Sequence, residues 1–297
     1  MIDFYADGGG YRAGFSRRGG TCFSLIHEKT GADILRTPSS ERELEATPFL
    51  YGNPILFPPN RIRGGAFPFE GRQYRFPVNE ESTGCHLHGG LYCTPFTVDE
   101  ERLLFTFAAE EGEYLGFPHA FTLTRQYFLD ENGLKDVVTV KNRSPRNMPL
   151  MLAFHTTFRT PYLRGEACRL SLNVKCEQLR DENYLPTGEY ASGRARDSKI
   201  SAGEFDPNEK ISALYESASP MRLIDDKSKT AVIMEGDERY RYRMLWSCGE
   251  GFFVCEPQTC AIDCFHLKTS PEENGLLVIS PDGEITLSTR IYLKCDI

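Results

Sequence analysis

The sequence predicts an antiparallel all-β protein built from two large packed sheets or a barrel. Three observations carry that expectation. Short stretches rich in Phe, Tyr, Val, Ile and Thr recur along the chain and are separated by turn residues. Helical periodicity is nearly absent. The 18 prolines and 26 glycines are spread through 297 residues, which suits many short connections.

The elements follow in chain order. TCFSLIHEKTGADIL (21–35) reads as strand, turn, strand, with Lys29-Thr30-Gly31 at the corner. SSERELEA (39–46) is the best helix candidate, because Ser40 and Glu43 fit a capping box. FPFEGRQYRF (67–76) reads as a tight hairpin around Glu70-Gly71. RLLFTFAAE (102–110) alternates in part, as a half-buried strand does. TLTRQYFLDENGLKDVVTVKNRS (122–144) is the strongest hairpin, and Asn132-Gly133 supplies its left-handed turn. LWSCGEGFFVCEPQT (245–259) and GEITLSTRIYLK (283–294) are two further strand regions. Nothing reads as a linker, a low-complexity tract or an internal repeat, so residues 1–297 are expected to form a single domain.

Composition narrows the function. Hydrophobic residues make up 40% and charged residues 26%, a globular balance. The formal net charge is −8 and no Lys/Arg-rich run is present, which disfavours nucleic acid as a partner. The N-terminus MIDFYADGGGYRAG has neither a basic nor an apolar leader region, and no apolar run is long enough to span a bilayer. A cytoplasmic protein without a membrane partner is expected. The ten cysteines are scattered, and Cys255, Cys260 and Cys264 do not have the paired spacing of a zinc ribbon. Reduced, mostly buried thiols and no metal are expected.

Six histidines are present. CHLHGG (85–90) places His86 and His88 two apart, on one face if the chain is extended, beside glycines that permit close backbone approach. His155 lies within the apolar run PLMLAFHTTF, and Glu256 within FFVCEPQT. A buried imidazole or carboxyl must be hydrogen-bonded or it destabilises the fold. Each has an ordinary reading: a satisfied core histidine, a strand exit before Pro257, or a solvated face. NRIRGG (60–65) offers Arg61 and Arg63 as a hydroxyl or carboxylate clamp, or as a solvated edge.

The order of these blocks resembles the aldose 1-epimerase (galactose mutarotase-like) family. GNPILFPPNRIRGGAFPFEGRQYRFPVNE leads to HLHGG. GFPHAFTLTRQYFLDENGLKDVVTVKNRSPRNMPLMLAFHTTF follows, then LPTGEY and FVCEPQT. The resemblance covers roughly residues 50–260. It implies a β-supersandwich of antiparallel sheets with very few short helices and a sugar cleft on a concave face. It implies Glu256 as the general base at the anomeric hydroxyl and His155 as the general acid at the ring oxygen. It also implies His88 as a second active-site histidine and Arg61 as a ligand of sugar hydroxyls. His86, read as a neighbour on the same strand face, is assigned a substrate contact only. The family often carries a sugar-binding aspartate where Ser212 aligns here, and Asp206 lies six residues earlier.

The resulting expectation is an aldose 1-epimerase acting on a hexose or related aldose, without cofactor, as a monomer or homodimer. Two rivals remain. One is a non-catalytic carbohydrate-binding domain on the same scaffold. The other is an epimerase for a phosphorylated hexose, with Arg61, Arg63 and Arg72 around the phosphate.

Overall fold

The computed structural model describes residues 1–163, 168–192, 204–207, 209–249 and 251–297. Strand accounts for 51% of the chain, and the sheets do not close into a barrel. Among the described residues every pairing between named strands is antiparallel. A nine-stranded sheet runs from Thr97–Asp99 through the long strands Phe121–Asp130, Gly133–Asn142 and Glu284–Cys295 to Arg169–Ser171 and Glu204–Phe205. An eight-stranded sheet carries, in order, Pro186–Ser192, Cys176–Arg180, Ile211–Glu216, Tyr242–Ser247, Phe252–Gln258, Ala153–Phe154 and Ile55–Leu56, with Thr156–Arg159 also on Phe252–Gln258. A four-stranded sheet begins the chain.

One hydrophobic core joins the two large sheets. Leu123, Val138 and Leu287 come from the first, and Phe154, Leu214 and Leu245 from the second; all are buried. Each such side chain contributes about 1.5–3 kcal/mol through burial. The alternation that predicted these strands is the burial pattern observed. Phe121, Leu123, Arg125 and Tyr127 point inward from one strand, and Leu134, Asp136, Val138 and Val140 from the next.

Local chemistry explains where the expected turns fall. Glu70 and Gly71 both have positive φ (46° and 74°), as a two-residue hairpin with matching twist requires. The long hairpin turns one residue earlier than expected. Glu131 and Asn132 form the corner, and of the Asn-Gly pair only Gly133 is left-handed, at φ 91°. A Cβ at Gly133 would lie 2.3 Å from the carbonyl oxygen of Ile291. Helix Glu41–Ala46 starts where Ser40 accepts from the Glu43 N–H, but the capping box is incomplete. The Glu43 carboxylate instead accepts from Ser39 and Tyr51. A second short helix, Pro271–Asn274, has the complete box: Ser270 at the N-cap, proline in the first turn, Glu273 reaching back and Gly275 left-handed at the end. The sequence SPEENG contained that signal. Among the described residues no helix is long and apolar enough to cross a membrane.

Candidate active site

Glu256 sits inside the central strand Phe252–Gln258, opposite Met244 of the neighbouring strand. The strand does not end at Pro257, so the carboxyl does not reach water; it is 2% exposed. Its Oε2 accepts from Gln258 Nε2 at 3.0 Å. Its Oε1 stands 3.6 Å from His155 Nε2, too long for a hydrogen bond, which leaves both atoms available to a ligand.

His155 falls in the break between Ala153–Phe154 and Thr156–Arg159, and its N–H donates to the Pro54 carbonyl at 2.9 Å. The break turns the imidazole out of the ladder toward Glu256. His88 reaches the same place by a different route. The strand Cys85–Leu87 has ended, and His88 takes a left-handed φ of 62°. It is locked there against Asn60: its backbone N–H donates to Asn60 O at 3.0 Å, and its Nδ1 accepts from the Asn60 N–H at 3.2 Å. That assigns the proton to Nε2. The two imidazoles lie 5.3 Å apart, nearly perpendicular, with Phe49 beside both. The following Gly89 is required by the backbone, since a Cβ there would lie 1.9 Å from Phe57 O.

Burial sets the protonation. It pushes the Glu256 carboxyl up to about 8, against the Gln258 hydrogen bond and the fields of Arg180 and Arg61. It pulls His155 down to about 3, and His88 well below its ordinary value, with neighbouring His155 adding to the effect. At neutral pH the Glu256–His155 pair therefore holds one proton, on Glu256.

These three residues line a cavity of about 410 Å³ together with Arg61, Ser212 and Trp246. Arg61 enters from strand Arg61–Arg63, but its fork is already occupied. Nε and Nη2 each donate to Glu80 at 2.6 Å, and Thr83 Oγ1 donates to the same carboxylate. Its guanidinium also lies 4.6 Å from the ring centre of Tyr184.

The structure brings Glu256, His155, His88 and Arg61 to one cavity but not His86. That side chain is fully buried, stacks on Phe76 at 4.9 Å and pairs its Nδ1 with the Pro77 carbonyl at 2.7 Å. The same-face expectation fails because His88 leaves the extended conformation. Ser212 lines the cavity, held by Arg180 through its carbonyl and its Oγ (3.1 Å). Asp206 is exposed and does not line it. Arg63 lines a separate cavity and pairs with Asp263, and Arg72 lies exposed on the 66–75 hairpin, so the three arginines do not gather. Cys255, Cys260 and Cys264 are buried thiols. Among the described residues no group of three or more His, Cys, Asp or Glu could hold a metal ion.

Glu80, Tyr184 and Trp246 line the cavity without having been singled out in the sequence. Trp246 is the only tryptophan and sits in register opposite Ser212. Glu80 lies on an irregular connection 19 residues from its partner Arg61, with no periodicity to link them.

Residues 5–283 match the family described as aldose 1-epimerase. Human galactose mutarotase is 27% identical over 172 residues, which is 53% of this chain and 47% of that protein; the match thus spans about half the length of the relative. A galactose mutarotase-like protein from Clostridium acetobutylicum superposes with a TM-score of 0.89 at 26% identity, covering 98% of this chain and 94% of the other. A galactose mutarotase-like protein from Lactobacillus casei has the same fold at 18% identity, with a TM-score of 0.77 over 98% and 99% of the two chains. The ordered sequence blocks, the antiparallel sheets and the near-complete family match converge: this chain belongs to the aldose 1-epimerase family.

Proposed function

We propose that the protein is an aldose 1-epimerase that interconverts the α and β anomers of a reducing sugar, with Glu256 and His155 carrying the proton transfers. One observation supports this above the rest: a carboxyl and an imidazole, both buried, stand 3.6 Å apart on the wall of a cavity that Arg61, Glu80 and Ser212 also line. Mutarotation takes a proton from the anomeric hydroxyl, places one on the ring oxygen, lets the C1–C2 bond turn in the open aldehyde, and reverses the transfers on the other carbonyl face. No proton is gained or lost overall. A pair holding a single proton matches that inventory.

At rest the proton is on Glu256. For Glu256 to act as base, the bound sugar must draw it across to His155. The anomeric hydroxyl donating to the carboxylate, together with the fields of Arg180 and Arg61, favours that shift. His155 then delivers the proton to the ring oxygen while Glu256 takes the one on O1. His88 Nε2–H supplies a neutral donor to a sugar oxygen, and Arg61 a charged one at the cavity edge.

The test is anomeric exchange measured by one-dimensional NMR after dissolving pure α-glucose or α-galactose, with and without protein. Glu256→Gln is expected to lose about 10²–10⁴-fold in exchange rate. An unchanged rate in that variant would remove the mechanism. The second reading, a carbohydrate-binding domain without catalysis, draws on Ser212 standing where an aspartate aligns in the family. Sugar binding without faster exchange would establish it.

A further inference from the structure

Strand alternation brings Gln258 to the carboxyl of Glu256. Phe252–Gln258 is extended throughout, so residues 256 and 258 project to one face of the sheet and Pro257 to the other. Gln258 Nε2 donates to Glu256 Oε2 at 3.0 Å. The Gln258 backbone is paired on both sides, with Tyr242 and with Ala153, two residues before His155. Gln258 is fully buried and is not among the residues that line the cavity, so it acts on a bound sugar only through Glu256.

Two features separate this amide from an ordinary core residue. It is only half satisfied, because Gln258 Oε1 is buried without a hydrogen-bond partner. A buried acceptor left unpaired destabilises the fold, and an apolar side chain of the same length would avoid that cost. The satisfied half meets the carboxyl oxygen farther from His155. An N–H aimed at Oε2 leaves no place for a proton on the same line. Neutral Glu256 therefore carries its proton on Oε1, the atom 3.6 Å from His155 Nε2. The other ionisable groups facing Glu256 are His155, His88, Tyr184, Arg180 and Arg61 with its partner Glu80. Cys255, beside it in the chain, and Arg243, on the neighbouring strand, project to the opposite face. Of the groups facing Glu256, Gln258 is the one hydrogen-bonded to its carboxyl among the described residues.

We infer that Gln258 is a positioning residue: it reserves Glu256 Oε1 for every proton that Glu256 exchanges, and it stabilises the carboxylate that takes the proton from the anomeric hydroxyl. This rests on the epimerase reading above. The one hydrogen bond acts twice. It lowers the pH at which the Glu256–His155 pair loses its last proton. By the same factor it favours the form with that proton on His155, the form in which Glu256 is a base. Removing the donor should move both quantities together.

Gln258→Met removes the donor and the unpaired acceptor at similar length. Its melting curve reports folding, and Gln258→Leu repeats the test should it fail to fold. The Glu256 carboxyl is titrated in sugar-free protein by carbon-13 NMR, its signal being the one absent from Glu256→Gln. The midpoint is expected to rise by about one pH unit relative to the parent, and the alkaline fall of kcat/KM with it. In anomeric exchange of glucose and galactose, kcat is expected to fall about tenfold on the plateau while KM changes by less than about twofold. The melting temperature is expected not to fall. A lower midpoint would mean that the amide turns its oxygen to a protonated Oε2, and would overturn the inference. So would an unchanged midpoint, or a loss of activity that only follows a loss of folded protein. Parent protein that exchanges neither sugar, with the midpoint shift still present in the variant, would overturn the epimerase reading alone.

Discussion

Arg125–Asp136 and His155–Glu256 are both buried pairs of ionisable groups, and their surroundings differ in kind. Arg125 is fully buried between the large sheets. Its Nε and Nη2 donate to Asp136 Oδ2 at 2.9 and 2.7 Å, and its Nη2 donates to Asn53 O at 2.6 Å. Asn53 in turn donates to Asp136 and accepts from Thr156. Burial alone would lower the Arg125 pKa, but Asp136 more than offsets this; the Asp136 pKa is itself raised, because burial outweighs the Arg125 field, and the short direct contacts are those of an ion pair. His155 and Glu256 are buried almost as deeply, yet their facing atoms are 3.6 Å apart and burial drives both to the neutral form. The first pair is compensated within the protein. The second is left for a ligand to complete. Depth of burial does not separate a structural pair from a reactive one; direct hydrogen bonding between the two partners does.

Substitution should divide the two. Glu256→Gln keeps the size and the neutral form of the resting side chain, so it should lose about 10²–10⁴-fold in exchange while its unfolding free energy below about pH 5 is nearly unchanged. Asp136→Asn should do the reverse. Stranding a buried guanidinium costs about 3–5 kcal/mol, read by urea unfolding, whereas the fraction that remains folded keeps most of its exchange rate. The double change Arg125→Met, Asp136→Leu should restore most of that stability, since two neutral residues of similar volume remove the stranded charge. If Asp136→Asn silences exchange in fully folded protein, the two pairs act as one network through Asn53 and Thr156, and the contrast is wrong.

The pH dependence of stability sharpens the contrast further. The unfolded chain releases the Glu256 proton near 4.5, while the folded state holds it to about 8. Folding therefore loses up to about 1.4 kcal/mol per pH unit between those values as pH rises. His155 runs the other way: the unfolded chain takes a proton below 6.5 and the folded state only near 3, so stability falls as pH falls through that range. The two effects together are least costly between about 4.5 and 6.5. Thermal unfolding should show Glu256→Gln matching the parent near pH 5 and exceeding it at pH 8.5. Parallel curves across that range would mean the carboxyl is ionised in the folded protein. The pair's proton also governs activity: kcat/KM should be flat from about pH 4 to 7 and fall above about 8, as the last proton leaves.

Much of the fold was legible because alternation with period two is a direct consequence of a half-buried strand. The same pattern carried the ion pair unread: Arg125 is in phase with Leu123 and Tyr127, and Asp136 with Leu134 and Val138. A charge in phase with apolar residues on two neighbouring strands is a sequence signal for a buried pair. Glu256, His155, His88 and Arg61 stood out by local context, with ordinary readings beside each, and their roles came from the order of their blocks. Local reasoning failed at His86, where a single left-handed residue, His88, breaks the alternation on which the pairing with His86 relied. Gly133 shows the same limit on a smaller scale, since it is required by close contact with a third strand as well as by its positive φ. Glu80 was not legible at all, because its partner is brought to it only by tertiary folding.

Arg61–Glu80 lies between the two extremes and gives the smallest expected effect. Its side chains are 15% and 19% exposed, and the geometry is bidentate. Burial would raise the Glu80 pKa, but Arg61 and Thr83 lower it below the ordinary value, so the carboxylate is charged and, like Asp136, bonded directly to a guanidinium. Its position is like that of Glu256, on the cavity wall. If Glu80 works by aiming the remaining Arg61 N–H groups at sugar hydroxyls, Glu80→Gln should lower kcat/KM by about 10- to 100-fold, the loss of one hydrogen bond to a charged group, mainly through KM. Stability should fall by no more than about 1 kcal/mol, because the pair is partly solvated. Arg61→Gln alone and the double variant should then show the same kcat/KM, since Glu80 has nothing left to position once the guanidinium is gone. Additive losses would mean that Glu80 accepts a sugar hydroxyl itself, and the cavity would then have a second carboxylate that touches substrate.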